Sequence, residues 1–489
     1  MTGEHAPASE ANALAKTAGG TGARVVTSSG RGATPPRPAG VSANAHVGLA
    51  VAATLLACAA INLPELGSDG WPFRPSEVRP TGPLAWLARL VDGRPDLGLP
   101  RAAAMCAALL AVGYGVTTLA RGRSSLRGAV AVGALGALLL LVPATAIQLA
   151  LRSATAPWFY TNDSTYQIEL AGDLVLRGES PYGHDWRGSG LERFYTFDGS
   201  RSPRIERTEP ALDHFAYPPA SALSGALWRL LPTPFDDYRL FVLLATLAAG
   251  AAALGLSGPP AARAAVAVFL VANPIAVRSV WFGQNDAPAL ALSVLACALA
   301  LRGRAASALA ALALAGLFKQ FALFVAPFVA VIVAQRAGGR ALARGSAVAV
   351  AVLAAASLPF FVASPSAFAS DVVGYGAATY RIVGYGLAGI LVEIGAIGDR
   401  RGYYPFVPLF VAVWLPLAAW LTLRAWRDRS AGATLGYTAA ALAVLLFIGR
   451  TFNNYYLVWP LTFALCALPP LAAERERVPA PPLDRGTSA

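Results

Sequence analysis

The sequence predicts an all-α, polytopic membrane protein with about twelve transmembrane helices. Hydrophobic residues make up 56% of the chain and charged residues only 13%, whereas soluble domains carry about a quarter charged residues. The apolar residues fall into blocks of roughly 17–22, the length that crosses a hydrocarbon core. Ala, Leu, Val and Gly dominate these blocks, and small residues let helices approach closely in lipid.

The blocks place spans at 47–64, 102–120, 128–150, 239–256, 264–281 and 286–301, then at 305–317, 320–335, 345–363, 403–424, 432–449 and 454–472. One more apolar block, Phe215 to Leu231, is excluded on charge. Without it, the short loops holding Arg121/Arg123/Arg127, Arg302/Arg304, Arg336/Arg340/Arg344 and Arg424/Arg427/Arg429 share one side, as the positive-inside rule requires. The arginines of loop 65–101 run against that bias. Residues 215–231 are therefore expected to lie along the membrane surface. The cell membrane is the expected location, with both termini cytoplasmic and two long outer loops, 152–238 and 364–402. Long irregular segments in a compact protein are usually functional.

Four regions follow: a disordered tail at 1–45, rich in Ala, Gly, Ser, Thr and Pro; two helices with an outer loop at 46–127; a transmembrane core at 128–472; and a disordered tail at 473–489. Net charge is +12, yet no basic tract is interleaved with aromatics, so no nucleic-acid partner is expected. Cys58, Cys106, Cys297 and Cys466 all fall in apolar blocks and read as packing residues. HExxH, CxxC, Walker and GxGxxG motifs are missing, so no metal, ATP or nicotinamide cofactor is expected.

Polar residues at the outer side carry the chemistry. In Asp163-Ser-Thr-Tyr166-Gln167, Ser164 and Gln167 have capping-box spacing, so Asp163 sits just before an amphipathic helix whose apolar positions include Tyr166, Leu170 and Leu174. Asp163 is either an N-cap or a carboxylate available for chemistry; Asp173 and Asp185 are the alternatives nearby. His214-Phe-Ala-Tyr217-Pro-Pro opens the surface helix, with prolines suited to a first turn. Gly283-Gln284-Asn285-Asp286 joins two spans, and is more polar than a single helix cap requires. Of 39 basic residues only Lys16 and Lys319 are lysine. Lys319 lies between apolar stretches, where a charge costs roughly 2.5–3.5 kcal/mol. It reads either as a snorkelling helix-end lysine or as a point cation for a phosphate. Arg381 suits bidentate phosphate binding, and Asn453-Asn-Tyr455-Tyr456 precedes the last span.

The run Asp163-x-x-Tyr166, Gly178-x-x-Pro181-Tyr182, Tyr217-Pro-Pro, Asn273-Pro274, Gly283-Gln284-Asn285 and Lys319 resembles the polyprenyl-phosphate-dependent GT-C glycosyltransferases. It is most similar to glycosyltransferase family 87, which includes α-mannosyltransferases, and the likeness covers roughly residues 128–472. The resemblance implies that this core is catalytic and GT-C-like, with two interfacial helices in the first outer loop. It implies inverting, metal-independent sugar transfer, with mannose the leading sugar, from a polyprenyl-phosphate donor to a lipid or glycan acceptor. Asp163 is then the catalytic base, Lys319 and Arg381 bind the donor phosphate, and Tyr166, Tyr182, His214, Tyr217, Gln284, Asn285, Asp286, Asn453 and Tyr455 bind substrate. The competing readings are a lipid or sugar transporter, which would also place polar residues at broken helices, and a non-catalytic subunit of an envelope-assembly complex.

Overall fold

The structure, a computed structural model, describes residues 43–62, 84–90, 98–154, 162–195, 209–379 and 381–476. All of them belong to one compact unit, residues 41–489. Helices α1 (Ala43–Asn62), α2 (Ala85–Leu90), α3 (Gly98–Arg121) and α4 (Leu126–Ala154) are followed by α5 (Asp163–Leu176) and α6 (Pro219–Arg229). Next come α7 (Tyr238–Ala253), α8 (Pro260–Ala272), α9 (Pro274–Phe282), α10 (Ala287–Leu301) and α11 (Ala305–Phe318). A 3-10 turn, Gln320–Val325, leads to α12 (Ala326–Ala337), α13 (Gly339–Ala363) and α14 (Pro365–Ala369), then a π-helical segment, Ser370–Thr379. The chain closes with α15 (Leu387–Glu393), α16 (Phe406–Leu409), α17 (Leu415–Asp428), α18 (Ala431–Phe447) and α19 (Val458–Glu476). Two short parallel strands, β1 (Val383–Gly384) and β2 (Thr451–Phe452), pair. The helical region begins at Ala43 and ends at Glu476, slightly longer at each end than the expected tails allow; the rest of both tails lies outside the described residues.

Among the described residues, six helical stretches are long and apolar enough to cross a membrane, and α8 with α9 makes a seventh, bent by 42°. Five further apolar helices have 10–17 residues, roughly 15–26 Å at 1.5 Å per residue against a core of about 30 Å. These twelve segments coincide in order with the twelve expected. The bend has a local cause. Pro274 cannot donate to the helical ladder, and Asn273 Oδ1 accepts from the Ala276 N–H at 2.9 Å, capping a new helix. Several helices present apolar residues outward. In α13 only Gly345 is buried, while Val350, Leu358 and Val362 are exposed, as a lipid-facing helix requires.

Helix α6 has 11 residues, about 16 Å and too short to span. It crosses α5 backbone to backbone at Gly172 and Gly225: a Cβ on Gly225 would meet the Ile168 carbonyl oxygen at 2.5 Å. Leu223, Leu227, Leu230 and Leu231 remain exposed along and just beyond it.

The interior of α5 departs from the expected amphipathic pattern. Glu169, outside the stripe of Tyr166, Leu170 and Leu174, is buried and takes both guanidinium nitrogens of Arg152 from the end of α4, one at 2.7 Å. It also accepts from the Tyr238 N–H at 2.9 Å. Arg152 reaches Asp237 at 3.2 Å, and Asp237 holds Arg239, whose Nη1 donates to Gln148 Oε1 at 2.8 Å. Two acids and two arginines thus neutralise one another where α4, α5 and α7 meet. Burial would raise the Asp237 carboxyl, but Arg152 and Arg239 hold it at about 2.

Three of the four arginine loops are brought together. Gly303 lies against the Arg336 carbonyl, and Gln335 donates to the carbonyls of Ala425 and Trp426. The loops at 302–304, 336–344 and 424–429 therefore occupy one end of the bundle. Helices α10 and α11 run away from that end and back, so Asp286 and Lys319 both lie at the opposite end.

Candidate functional site at the end of the bundle opposite the arginine loops

Asp163 is the first residue of α5, and Asn162 is the N-cap: its Oδ1 accepts from the Thr165 N–H at 2.9 Å and from Ser164 Oγ at 2.8 Å. The expected Ser164–Gln167 capping box is not formed, because Gln167 donates instead to the His214 carbonyl at 2.7 Å. Capping still does not consume Asp163. Its Oδ1 accepts the adjacent Ser164 N–H at 2.8 Å, and the residue is half-buried.

The tip of α5 docks on the turn after α9. The Asn162 N–H donates to the Phe282 carbonyl at 3.1 Å, and Thr165 Oγ1 donates to the Gly283 carbonyl. Gly283 ends α9 with φ +76°, and any Cβ there would collide with Thr165 and Arg239, so only glycine serves. The rest of that turn faces inward. Gln284 Oε1 accepts from Ser279 Oγ at 2.7 Å. Asn285 is held by Ser221 at 2.8 Å and by the Tyr238 hydroxyl at 3.2 Å. Asp286 is buried, accepts from Trp459 Nε1 at 2.7 Å and pairs with Lys319 Nζ at 3.5 Å.

Lys319 occupies the break between α11 and the 3-10 turn, in extended backbone. Its ammonium lies 5.5 Å from the Tyr217 ring centre, 5.6 Å from Tyr456 and 5.9 Å from Phe321, a cation–π arrangement. The α5 tip that carries Asp163 is bonded at Phe282 and Gly283, the latter three residues before Asp286. Asp163, Asp286, Lys319 and Tyr217, drawn from four separate stretches of sequence, thus meet at one place. Lys319 does not face a purely apolar wall, as its flanking sequence implied, but a carboxylate and three rings.

The remaining expected residues are placed around this centre. Tyr182 donates to the Tyr217 carbonyl at 2.9 Å; burial and the Asp371 carboxylate push its phenol well above the ordinary range, which keeps it a neutral donor. Tyr166 donates to the Ser189 carbonyl at 2.5 Å and packs on Phe194. Tyr455 receives a hydrogen bond from Asn453 at 3.3 Å and stacks edge-on against Tyr456. Arg381 is exposed, two residues ahead of β1, whose pairing with β2 brings this strand beside the segment leading to Asn453. Asp173 pairs with Arg229 at 3.0 Å and Asp185 with Arg187 at 2.9 Å. Hydrogen bonds from the Arg187 backbone and side chain hold the Asp185 carboxyl below its usual range, which makes it a weaker base.

Sequence alone does not single out Asp371. It is buried in the π-helical segment, and its Oδ1 lies 2.6 Å from His214 Nδ1, while Oδ2 accepts from the N–H groups of Gly183 at 2.9 Å and Phe215 at 3.2 Å. The available signal is its isolation: it is the only acid from Ser364 to Val392. Trp459 and Phe321 are likewise missed by sequence reasoning, hidden among the many aromatics of apolar helices.

A helical membrane fold with this junction at one end finds its counterpart in a known family. Residues 215–449 match the family model described as glycosyltransferase family 87, just under half of the 489 residues. The protein is accordingly a membrane glycosyltransferase. The matched region contains Tyr217, Asp286, Lys319 and Arg381; α5 and Asp163 precede it. No curated protein and no solved structure gives a match.

Proposed function

We propose that the protein transfers a sugar, mannose first among the candidates, from a polyprenyl-phosphate donor to a hydroxyl of a lipid or glycan acceptor at the outer face of the cell membrane. The observation that carries this reading is the meeting of Asp163 with the Lys319–Asp286 pair at the bundle end opposite the arginine loops. Asp163 takes the proton of the acceptor hydroxyl as its oxygen attacks the anomeric carbon, and the bond from that carbon to the phosphate oxygen breaks with inversion. Lys319, and Arg381 from the second loop, meet the charge on the departing lipid phosphate. The tyrosines and amides around them hold the sugar and the acceptor. A transfer assay with radiolabelled polyprenyl-phosphate mannose, arabinofuranose and glucose identifies the sugar; no transfer from any of them contradicts the donor class.

We read all twelve apolar segments as spans, residues 128–472 as the catalytic core and α1–α3 as an addition to it. The exposed leucines of α6 support its lying in the interface. Gly339 and Gly398 are exposed, and a Cβ at either meets no atom within 4 Å, so both accept cysteine. In a chain freed of Cys58, Cys106, Cys297 and Cys466, an impermeant thiol reagent applied outside intact cells should label Gly398→Cys and not Gly339→Cys. Labelling of both, or of Gly339→Cys alone, contradicts the topology.

Lys319→Ala should weaken donor binding. It should also lower the melting temperature, because it leaves the buried Asp286 carboxylate without its cation; breaking a fully buried pair costs about 3–5 kcal/mol. Lys319→Ala combined with Asp286→Asn should recover the stability and not the binding. Donor affinity at the wild-type level in either variant contradicts the phosphate role.

A further inference from the structure

We infer that His214, positioned by Asp371, is a second phosphate-binding group at this site; the inference rests on the lipid-phosphate donor proposed above. His214 Nδ1 is committed to Asp371 Oδ1 at 2.6 Å, and the ring stacks on Tyr375 at 4.6 Å. Nε2 makes no hydrogen bond among the described residues, and the side chain is 18% exposed, so this nitrogen is the one offered to a ligand. The pair adjoins the lysine. Gln320, next to Lys319, donates to the Ala216 carbonyl at 3.3 Å and to the Val372 carbonyl at 2.9 Å. It thus ties the segments carrying His214 and Asp371 to the segment carrying Lys319. Tyr217, three residues after His214, lies under the lysine ammonium.

Charge balance calls for such a group. Asp163, Asp286 and Asp371 set three carboxylates against two cations, Arg381 and Lys319, and the charge of Lys319 is already shared with Asp286 at 3.5 Å. A phosphate would enter a site with an excess of negative charge. An imidazole that donates through both ring nitrogens bridges a carboxylate on one side and a phosphate on the other. The titratable groups that touch it are Asp371 and Tyr375, both from the π-helical segment, and Lys319 lies on the adjoining segment that Gln320 ties to it. Nε2–H then donates a charge-assisted hydrogen bond to a phosphate oxygen. As the bond from the anomeric carbon to that phosphate breaks, its electron pair stays on the phosphate oxygen and the bond from His214 strengthens. Asp371 is a positioning residue: it touches His214 and not the substrate.

The test compares binding of a short-chain prenyl phosphate and the matching prenyl alcohol to the full-length protein in detergent. Wild type should prefer the phosphate. His214→Gln and Asp371→Asn should each lose at least about tenfold in phosphate affinity and leave alcohol affinity unchanged. A purely structural role for Asp371, which also holds Gly183 and Phe215, would lower both affinities together and would overturn the inference, as would wild-type phosphate affinity in both variants. Failure of wild type to bind the phosphate would instead overturn the proposed donor class, and this inference with it. Should a variant fail to fold, the wild-type protein decides through its four histidines. One imidazole nitrogen resonance pair must shift with prenyl phosphate and not with the alcohol; no shift overturns the assignment.

Discussion

Asp163→Asn lowers sugar transfer by at least about a hundredfold and leaves donor binding and detergent stability near wild type. General acid–base groups contribute about 10²–10⁴ in rate, and an amide cannot take the acceptor proton. The substitution is structurally mild, because an Asn oxygen can still accept the Ser164 N–H that Asp163 receives at 2.8 Å, and Asn162 supplies the cap. Loss in the maximal rate with the donor's Kd unchanged is the signature of a group that acts in the transition state. Asp173→Asn and Asp185→Asn should be mild, since each carboxylate is occupied by an arginine away from Lys319. An active Asp163→Asn beside an inactive Asp173→Asn or Asp185→Asn would move the base.

Arg152→Ala should destabilise the fold by about 3–5 kcal/mol, as removal of one member of a buried charge network does. It strands the buried Glu169 and leaves the buried Asp237 to Arg239 alone. The effect should reach activity as well, because Glu169 ties α5, which carries Asp163, to Arg152 and to the Tyr238 N–H. Arg177→Ala is the control: its pair with Glu179 is exposed at both ends, and exposed pairs contribute at most about 1 kcal/mol. Melting of the two variants in the same detergent checks the contrast. Equal melting temperatures would mean that the buried network is not what anchors α5. Acid sensitivity follows in sign. A carboxyl held at about 2, as Asp237 is, contributes fully above its ordinary range near 3.9 and loses its contribution as pH falls towards 2.

What the sequence discloses divides by range of interaction. The twelve apolar segments are legible because each is a property of adjacent residues, and the Asn273-Pro274 break is equally local. The docking of α5 on Gly283 and the approach of Tyr217 and Tyr456 to Lys319 are not, since they join residues more than a hundred positions apart. Lys319 announces itself by its rarity among arginines, and its partner Asp286 is named, though not as a partner. Ser164–Gln167 has the right spacing for a capping box, but Gln167 is committed to the His214 carbonyl and Asn162 serves as cap. Glu169 shows the limit most clearly. On a helical wheel it falls away from the apolar stripe, and only tertiary structure brings Arg152 to it across that gap.

Transfer of the sugar away from its lipid phosphate and movement of an intact lipid are separated by one measurement. Purified protein in vesicles, given labelled polyprenyl-phosphate sugar and a native lipid extract, is assayed for free polyprenyl phosphate and for labelled glycoside together. The two should appear in equal amounts with wild type and fall together in Asp163→Asn. Labelled donor that crosses the bilayer unchanged, with neither product formed, would contradict sugar transfer by this site.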